Sequence, residues 1–229
     1  MAEPQVAIVD YGMGNLFSVK QACERAGLRA RITPAPAALL EASAVILPGV
    51  GAFGDAIAAL RRSGLDEALR EVAASGKPLL GICLGMQLLM SQSAEFGAHR
   101  GLGIIPGDVV RLDAPTEEAG TGMNGARRSK VPQIGWNQID AAAPWEGSLL
   151  EGLADGAHMY FVHSFYARPG DPEVRLSTTR YGPTTFCSSL RSGSIFACQF
   201  HPERSGPLGL RIYQNFAARL LQLAGEGAR

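Results

Sequence analysis

The chain has 229 residues, 46% of them hydrophobic and 18% charged, with Lys+Arg and Asp+Glu both at 21. That is the profile of an ordinary globular protein of one large or two small domains, and a formal net charge of zero argues against broad nucleic-acid or anionic-membrane binding. No apolar run approaches the ~20 residues of a membrane span, no basic-then-apolar leader opens the chain, and Cys23, Cys83, Cys187 and Cys198 follow no metal spacing in a chain too large to need disulfide staples, so a reduced, cytoplasmic protein is expected.

The first half alternates strand and helix signals. Val6–Asp10 is a short apolar run, after which Gly12 and Gly14 turn the chain. Leu16, Val19, Ala22 and Cys23 have helical spacing and predict a helix over Leu16–Ala26. Strands are expected at Leu28–Ile32 and Ala44–Leu47, helices at Phe53–Arg62 and Leu65–Ala74. A fourth strand is expected at Leu79–Ile82, with a helix from Leu84 to about Ser93. This order predicts a mainly parallel sheet with helices on both faces. The second half reads as short β runs at Val109–Leu112, Val131–Ile139, Met159–Tyr166, Val174–Thr179, Thr184–Ser189 and Ile195–Phe200, then a helix over Gly209–Leu223. Asp113–Lys130, rich in Gly, Glu, Thr and Arg, predicts a loop, and its Arg127, Arg128 and Lys130 read as a solvated basic stretch. No repeat or composition break divides the chain. The expectation is one α/β domain over residues 1–229 with an antiparallel extension.

The strongest chemical signal is Gly81-Ile82-Cys83-Leu84-Gly85, where an apolar strand runs straight into a helix. It is the cysteine counterpart of the Gly-x-Ser-x-Gly elbow. Flanking glycines allow the sharp turn, which lifts the sulfur above the sheet edge. Free N–H groups and partial positive charge at the following helix start favour a thiolate, and the Leu84 N–H can donate to an oxyanion. The thiolate needs a proton shuttle. Of the four histidines, His201 ends an apolar strand, Pro202 stops that strand, and Glu203 stands two residues on, able to fix the ring tautomer. Cys83, His201 and Glu203 together form an acyl-transfer triad. Cys187 and Cys198 lie in apolar strand contexts and read as small core residues.

Gly81–Gln87 with Gln199-Phe200-His201-Pro202-Glu203 resembles the class I (triad) glutamine amidotransferases. Asp10–Leu16, Leu47–Gly54, Val131–Asn137 and Tyr160–Phe165, in collinear order over nearly the whole chain, resemble in particular the glutaminase subunits of imidazole glycerol phosphate synthase. The resemblance implies a flavodoxin-like amidotransferase fold that needs no metal or organic cofactor. It implies glutamine as substrate and a (β/α)8-barrel cyclase as partner. It also implies Val50 and Leu84 as the oxyanion hole, and Gly51, Gln87, Glu95 and Ser164 as the residues that grip glutamine. Glu95 would meet the α-ammonium and the backbone near Ser164 the α-carboxylate. With glycine on both sides of Val50, the Gly49–Val50 peptide could rotate at low steric cost and so switch the oxyanion hole when the partner is loaded. Two features depart from the family pattern: Gln133 stands where histidine is usual, and the loop before it is longer. Other class I amidotransferases, a catalytically idle binding protein on the same fold, and a cysteine peptidase on a similar elbow are the competing readings. Gln87 could also be an ordinary helix-surface amide, and Glu95 an ordinary exposed carboxylate.

Overall fold

The computed structural model describes residues 4–113 and 130–226. In chain order the elements are β1 (Gln5–Val9), α1 (Leu16–Arg25), β2 (Arg29–Thr33), α2 (Pro36–Glu41), β3 (Ala44–Gly49), α3 (Phe53–Arg62), α4 (Leu65–Ala74), β4 (Leu79–Cys83) and α5 (Leu84–Leu88). Then come β5 (Gln92–Ser93), β6 (His99–Arg100), β7 (Gly107–Arg111), β8 (Gln133–Ala141), β9 (Ala157–His163), β10 (Phe165–Pro169), β11 (Arg175–Tyr181), β12 (Thr184–Ser192), β13 (Ile195–Cys198) and α6 (Gly206–Glu226).

One sheet runs in the order β2-β1-β3-β4-β13-β12-β11-β8-β9. The first five strands are mutually parallel, and β12, β11, β8 and β9 continue the sheet antiparallel. The expected parallel core and antiparallel extension are both present. A smaller sheet, β10-β7-β5-β6, lies beside them.

Period-2 alternation sorts the parallel strands into two cores. Val6, Ile8, Ile46, Leu80, Ile82 and Phe196 face α1 and α6. Ala7, Val9, Val45, Leu47, Leu79 and Ala197 face α3 and α4. The helices expected over Phe53–Arg62 and Leu65–Ala74 stand at those bounds.

Two expectations are corrected and one element is added. The helix after Cys83 ends at Leu88, not near Ser93. The carbonyls of Leu88, Leu89 and Met90, which a longer helix would need, accept instead from N–H groups of Leu102, Ile104, Ile105 and Gly103. The Met159–Tyr166 run is two strands broken at Ser164, because β9 pairs with β8 in the large sheet and β10 with β7 in the small one. Helix α2 fills a stretch in which periodicity predicts no element, with Pro36 in its first turn. Of the Asp113–Lys130 loop, residues 114–129, including Arg127 and Arg128, lie outside the described residues. At its ends, Thr184 Oγ1 donates to the Asp113 carboxylate and Tyr181 Oη to the Lys130 carbonyl.

The closest approach near the sheet edge is between α5 and β3. A Cβ on Gly85 would overlap the Leu47 carbonyl, so only glycine lets the helix start lie on the strand. Gly85→Ala is expected to destabilise the fold by about 1–3 kcal/mol, the usual cost of overpacking, as an earlier urea-unfolding midpoint at unchanged slope.

Candidate functional site

Cys83 is the last residue of β4 and has φ 54 and ψ −109. A non-glycine residue in such a region costs about 1–3 kcal/mol and persists only where its surroundings over-determine it. Here they do. Gly49 of β3 pairs with Cys83 in the sheet register, Gly85 sits under the Leu47 carbonyl, and a Cβ on Gly81 would lie 3.1 Å from Leu89 and 3.2 Å from Ala197. Helix α5 spans only five residues, so its macrodipole is small; the local unpaired N–H groups at its start are what remain of the expected support for a thiolate.

Cys83 is 5% exposed. The Gln199 Nε2 group approaches its sulfur at 3.5 Å, and the Val162 carbonyl lies at 3.9 Å. Gln87, also buried, donates from Nε2 to the Phe165 carbonyl at 2.8 Å and to Gln199 Oε1 at 3.0 Å. Gln87 is thus not a surface amide; it holds the amide that holds the sulfur. Gln199 is a site residue that the sequence reading missed. Its signal was available: it stands two residues before His201 in the segment that the sequence reads as the end of a strand, a spacing that puts both on one face.

His201 and Glu203 are both nearly sealed, their side chains 5% and 2% exposed, and His201 Nδ1 meets Glu203 Oε1 at 2.8 Å. Ser205 Oγ, which accepts from Tyr160 N–H, donates to the His201 carbonyl at 2.7 Å, and His201 N–H donates to the Tyr160 carbonyl. Burial alone would push the ring's pKa down. The negative charge and hydrogen bonding of Cys83, then those of Glu203, override it and lift His201 to about 10. Nε2 is buried without a full hydrogen bond, and the Cys83 sulfur is its electrostatic partner. Tyr11, whose hydroxyl donates to the Pro48 carbonyl at 2.9 Å, is raised by burial and by the charge of Cys83.

Val50 and Leu84 follow the paired Gly49 and Cys83, so their N–H groups belong to adjacent strand ends. Gly51 has φ +112, and a Cβ there would lie 2.5 Å from Met13. The Tyr11–Asn15 turn also presses on Gly49, where a Cβ would overlap the Tyr11 hydroxyl. Glu95 is half-buried, with Oε2 on the Phe53 N–H at 2.6 Å, at the start of α3. Ser164 sits at the β9–β10 corner, its carbonyl accepting from Leu112 N–H. Gln133 is buried directly opposite His163 in the β8–β9 register. Burial pushes His163 down to about 4, so it stays neutral, with Nδ1 on the Phe165 carbonyl at 2.9 Å. Cys187 and Cys198 are buried core residues with thiols pushed up by desolvation, Cys187 to about 12. Among the described residues, no group of three or more His, Cys, Asp or Glu side chains is placed to hold a metal ion, and no helix is long and apolar enough to cross a membrane.

A nucleophile on a strained corner, a charged imidazole behind it and a buried carboxylate behind that can perform acyl transfer. A family model described as glutamine amidotransferase class-I matches residues 7–220. The chain is 46% identical over 219 residues to imidazole glycerol phosphate synthase subunit HisH of Rhodopirellula baltica, covering 96% of this chain and 100% of that one. It is 47% identical over 221 residues to the protein of the same name from Moorella thermoacetica, covering 96% and 97%. Among solved structures, a putative GMP synthase protein from Thermoplasma acidophilum superposes with TM-score 0.70 at 16% identity over 100% of both chains. PurLQS from Thermotoga maritima gives 0.69 at 19% identity, covering 96% of this chain and 100% of that one. At these identities the two structures speak for the fold.

Because the Cys83 charge is the largest influence raising His201, Cys83→Ala is expected to lower the His201 titration midpoint from about 10 toward the ordinary histidine range. An NMR pH titration of the four histidines reads this directly, with His163 staying neutral down to about 4 in both proteins.

Proposed function

Since the chain belongs to the HisH family of imidazole glycerol phosphate synthase subunits, within the class-I glutamine amidotransferases, we propose that it hydrolyses glutamine at Cys83 and delivers the ammonia to a (β/α)8-barrel cyclase subunit. The observation that carries the site assignment is the line of buried groups from the Cys83 sulfur through His201 to Glu203.

In this reading the Cys83 thiolate attacks the side-chain carbonyl carbon of glutamine. The Val50 and Leu84 N–H groups hold the oxyanion. The His201 imidazolium gives its proton to the departing nitrogen, the C–N bond breaks, and ammonia leaves a glutamyl thioester. Water, deprotonated by His201, then attacks the thioester; the C–S bond breaks and glutamate departs. Glu203 holds the imidazolium through Nδ1. Gly51, Gln87, Glu95 and Ser164 frame the substrate, with the free oxygen of Glu95 toward the α-ammonium. No cofactor enters these steps. A site 5% exposed at its nucleophile suits a small amino acid far better than a polypeptide, which disfavours the peptidase reading.

The complex joins the ammonia to an open-chain ribulosyl imidazole-carboxamide nucleotide, giving imidazole glycerol phosphate and an aminoimidazole carboxamide ribotide in histidine biosynthesis. Support for a docking face beside the triad comes from β8. Ile134 and Trp136 project to solvent from alternate positions, 63% and 56% exposed. The Trp136 ring meets Tyr160 edge-on at 6.1 Å, and the Arg204 guanidinium stands 4.4 Å from the Tyr160 ring centre. That chain of contacts ends one residue from Glu203. We further propose that the chain works as one amidotransferase domain, in the cytoplasm, with neither nucleic acid nor membrane as partner. The Gly49–Val50 peptide, gripped by Tyr11 and Met13 through its flanking glycines, is the switch that the loaded cyclase turns.

Two outcomes are expected in the assembled complex. Cys83→Ala should abolish glutamine-dependent product formation, by on the order of 10⁴-fold or more, while free ammonia still supports the cyclase reaction; loss of both would sink the assignment. Glutamine hydrolysis by the isolated chain should also rise roughly 100-fold or more when cyclase and nucleotide are added, the scale of gaining one oxyanion donor; equal rates would rule out the switch.

A further inference from the structure

Glu203 engages His201 with one carboxylate oxygen only. Oε2 is buried and has no hydrogen-bond partner. Besides His201 Nε2, which faces the Cys83 side, the buried groups without a hydrogen-bond partner include the hydroxyl of Tyr213, a residue 0% exposed. A buried donor and a buried acceptor, each without a partner, are both costly to leave unmade.

The backbone brings the two together. The short turn Pro202–Arg204 packs on α6, where a Cβ on Gly209 would overlap the Pro202 carbonyl. Tyr213 is four residues further on and shares the buried face with Gly209, Ile212 and Phe216. Residues i and i+4 lie one above the other on a helix, and long helical side chains lean toward the helix N-terminus. Tyr213 thus stands on the helix face that meets the turn carrying Glu203. The ionisable groups bearing on the hydroxyl are Glu203 from the turn, Cys23 from α1 and Cys198 from β13, and burial with the Glu203 charge keeps it protonated. Toward an ionised carboxylate a protonated hydroxyl acts as the donor.

We propose that Tyr213 is a positioning residue for the triad, its hydroxyl closing on Glu203 Oε2 in the working enzyme and pinning the carboxylate so that Oε1 stays on His201 Nδ1. Catalytic hydrogen bonds are commonly loose before substrate binds and tighten in the reacting complex. Tyr213 touches neither glutamine nor the sulfur, so it acts through Glu203 alone. The inference rests on the glutaminase reading given above.

The test is Tyr213→Phe, which keeps the ring and removes only the oxygen, assayed in the complex beside Glu203→Gln and the double variant. The expected result is a fall in glutamine-dependent kcat of about tenfold, a fraction of the ~10²–10⁴ that a positioned acid–base group supplies. KM for glutamine and the ammonia-dependent reaction should stay unchanged. The high-pH limb set by His201, near 10 in the native protein, should move down toward its position in Glu203→Gln, and in that background the tyrosine change should cost nothing further. A native kcat and limb in Tyr213→Phe overturns the proposal, as does a lower Tm with the limb unmoved, or losses that add in the double variant. If Glu203→Gln is itself silent, or the native complex does not use glutamine, the glutaminase reading falls as well.

Discussion

The Leu47 carbonyl occupies the place that a side chain on residue 85 would take, and the pairing of Gly49 with Cys83 locks the two strand ends at that spacing. Cys83 cannot relax from its positive φ without moving α5 off β3. Hydrophobic burial holds both: Leu47, Leu84, Met86, Leu88 and Leu89 belong to one continuous core. The strain at the elbow, about 1–3 kcal/mol, is small against the burial of five such side chains at ~1.5–3 kcal/mol each. The same pairing places Val50 and Leu84 directly after two adjacent strand ends.

β13 completes the site by lying parallel to β4 on its other edge. Its continuation carries Gln199 and His201 past the end of the ladder, on one face, toward the sulfur. The small sheet enters through Phe165, whose carbonyl accepts from both Gln87 Nε2 and His163 Nδ1. Two sheets and one helix are thereby tied into one polar network around a 5%-exposed sulfur. In so dry a setting an unpaired group is expensive, which is why the amides of Gln87 and Gln199 are spent on fixing neighbours.

Much of the parallel half of the fold was legible because β3 and β4 are short apolar runs and α3 and α4 have clean helical spacing. Leu79–Ile82 against β4 and Phe53–Arg62 against α3 differ by a residue or not at all. What sequence could not show was competition for backbone groups. Nothing local reveals that residues 101–105 claim the carbonyls that would lengthen α5, nor that Ser164 separates strands of two different sheets. In the candidate site, the nearness of Cys83, His201 and Glu203 was readable from the elbow and the strand end. Gln199 was hidden by looking like part of an apolar run, and its role depends on Gln87, 112 residues away.

His163 and His201 show how the site chooses its base. Both are buried rings, 6% and 4% exposed, so desolvation presses on each in the same direction. His163 has a backbone carbonyl for a partner and falls to about 4; His201 has a sulfur and a carboxylate and rises to about 10. The difference is made by two charged neighbours, not by depth. Gln133, opposite the neutral His163 ring and 2% exposed, keeps its Oε1 buried without a partner, a smaller cost than a charged group would face there. A contact requiring positive charge at that position is therefore not made by this chain, and of the two buried histidines beside Cys83 it is His201, under the influence of Cys83 and Glu203, that holds a proton.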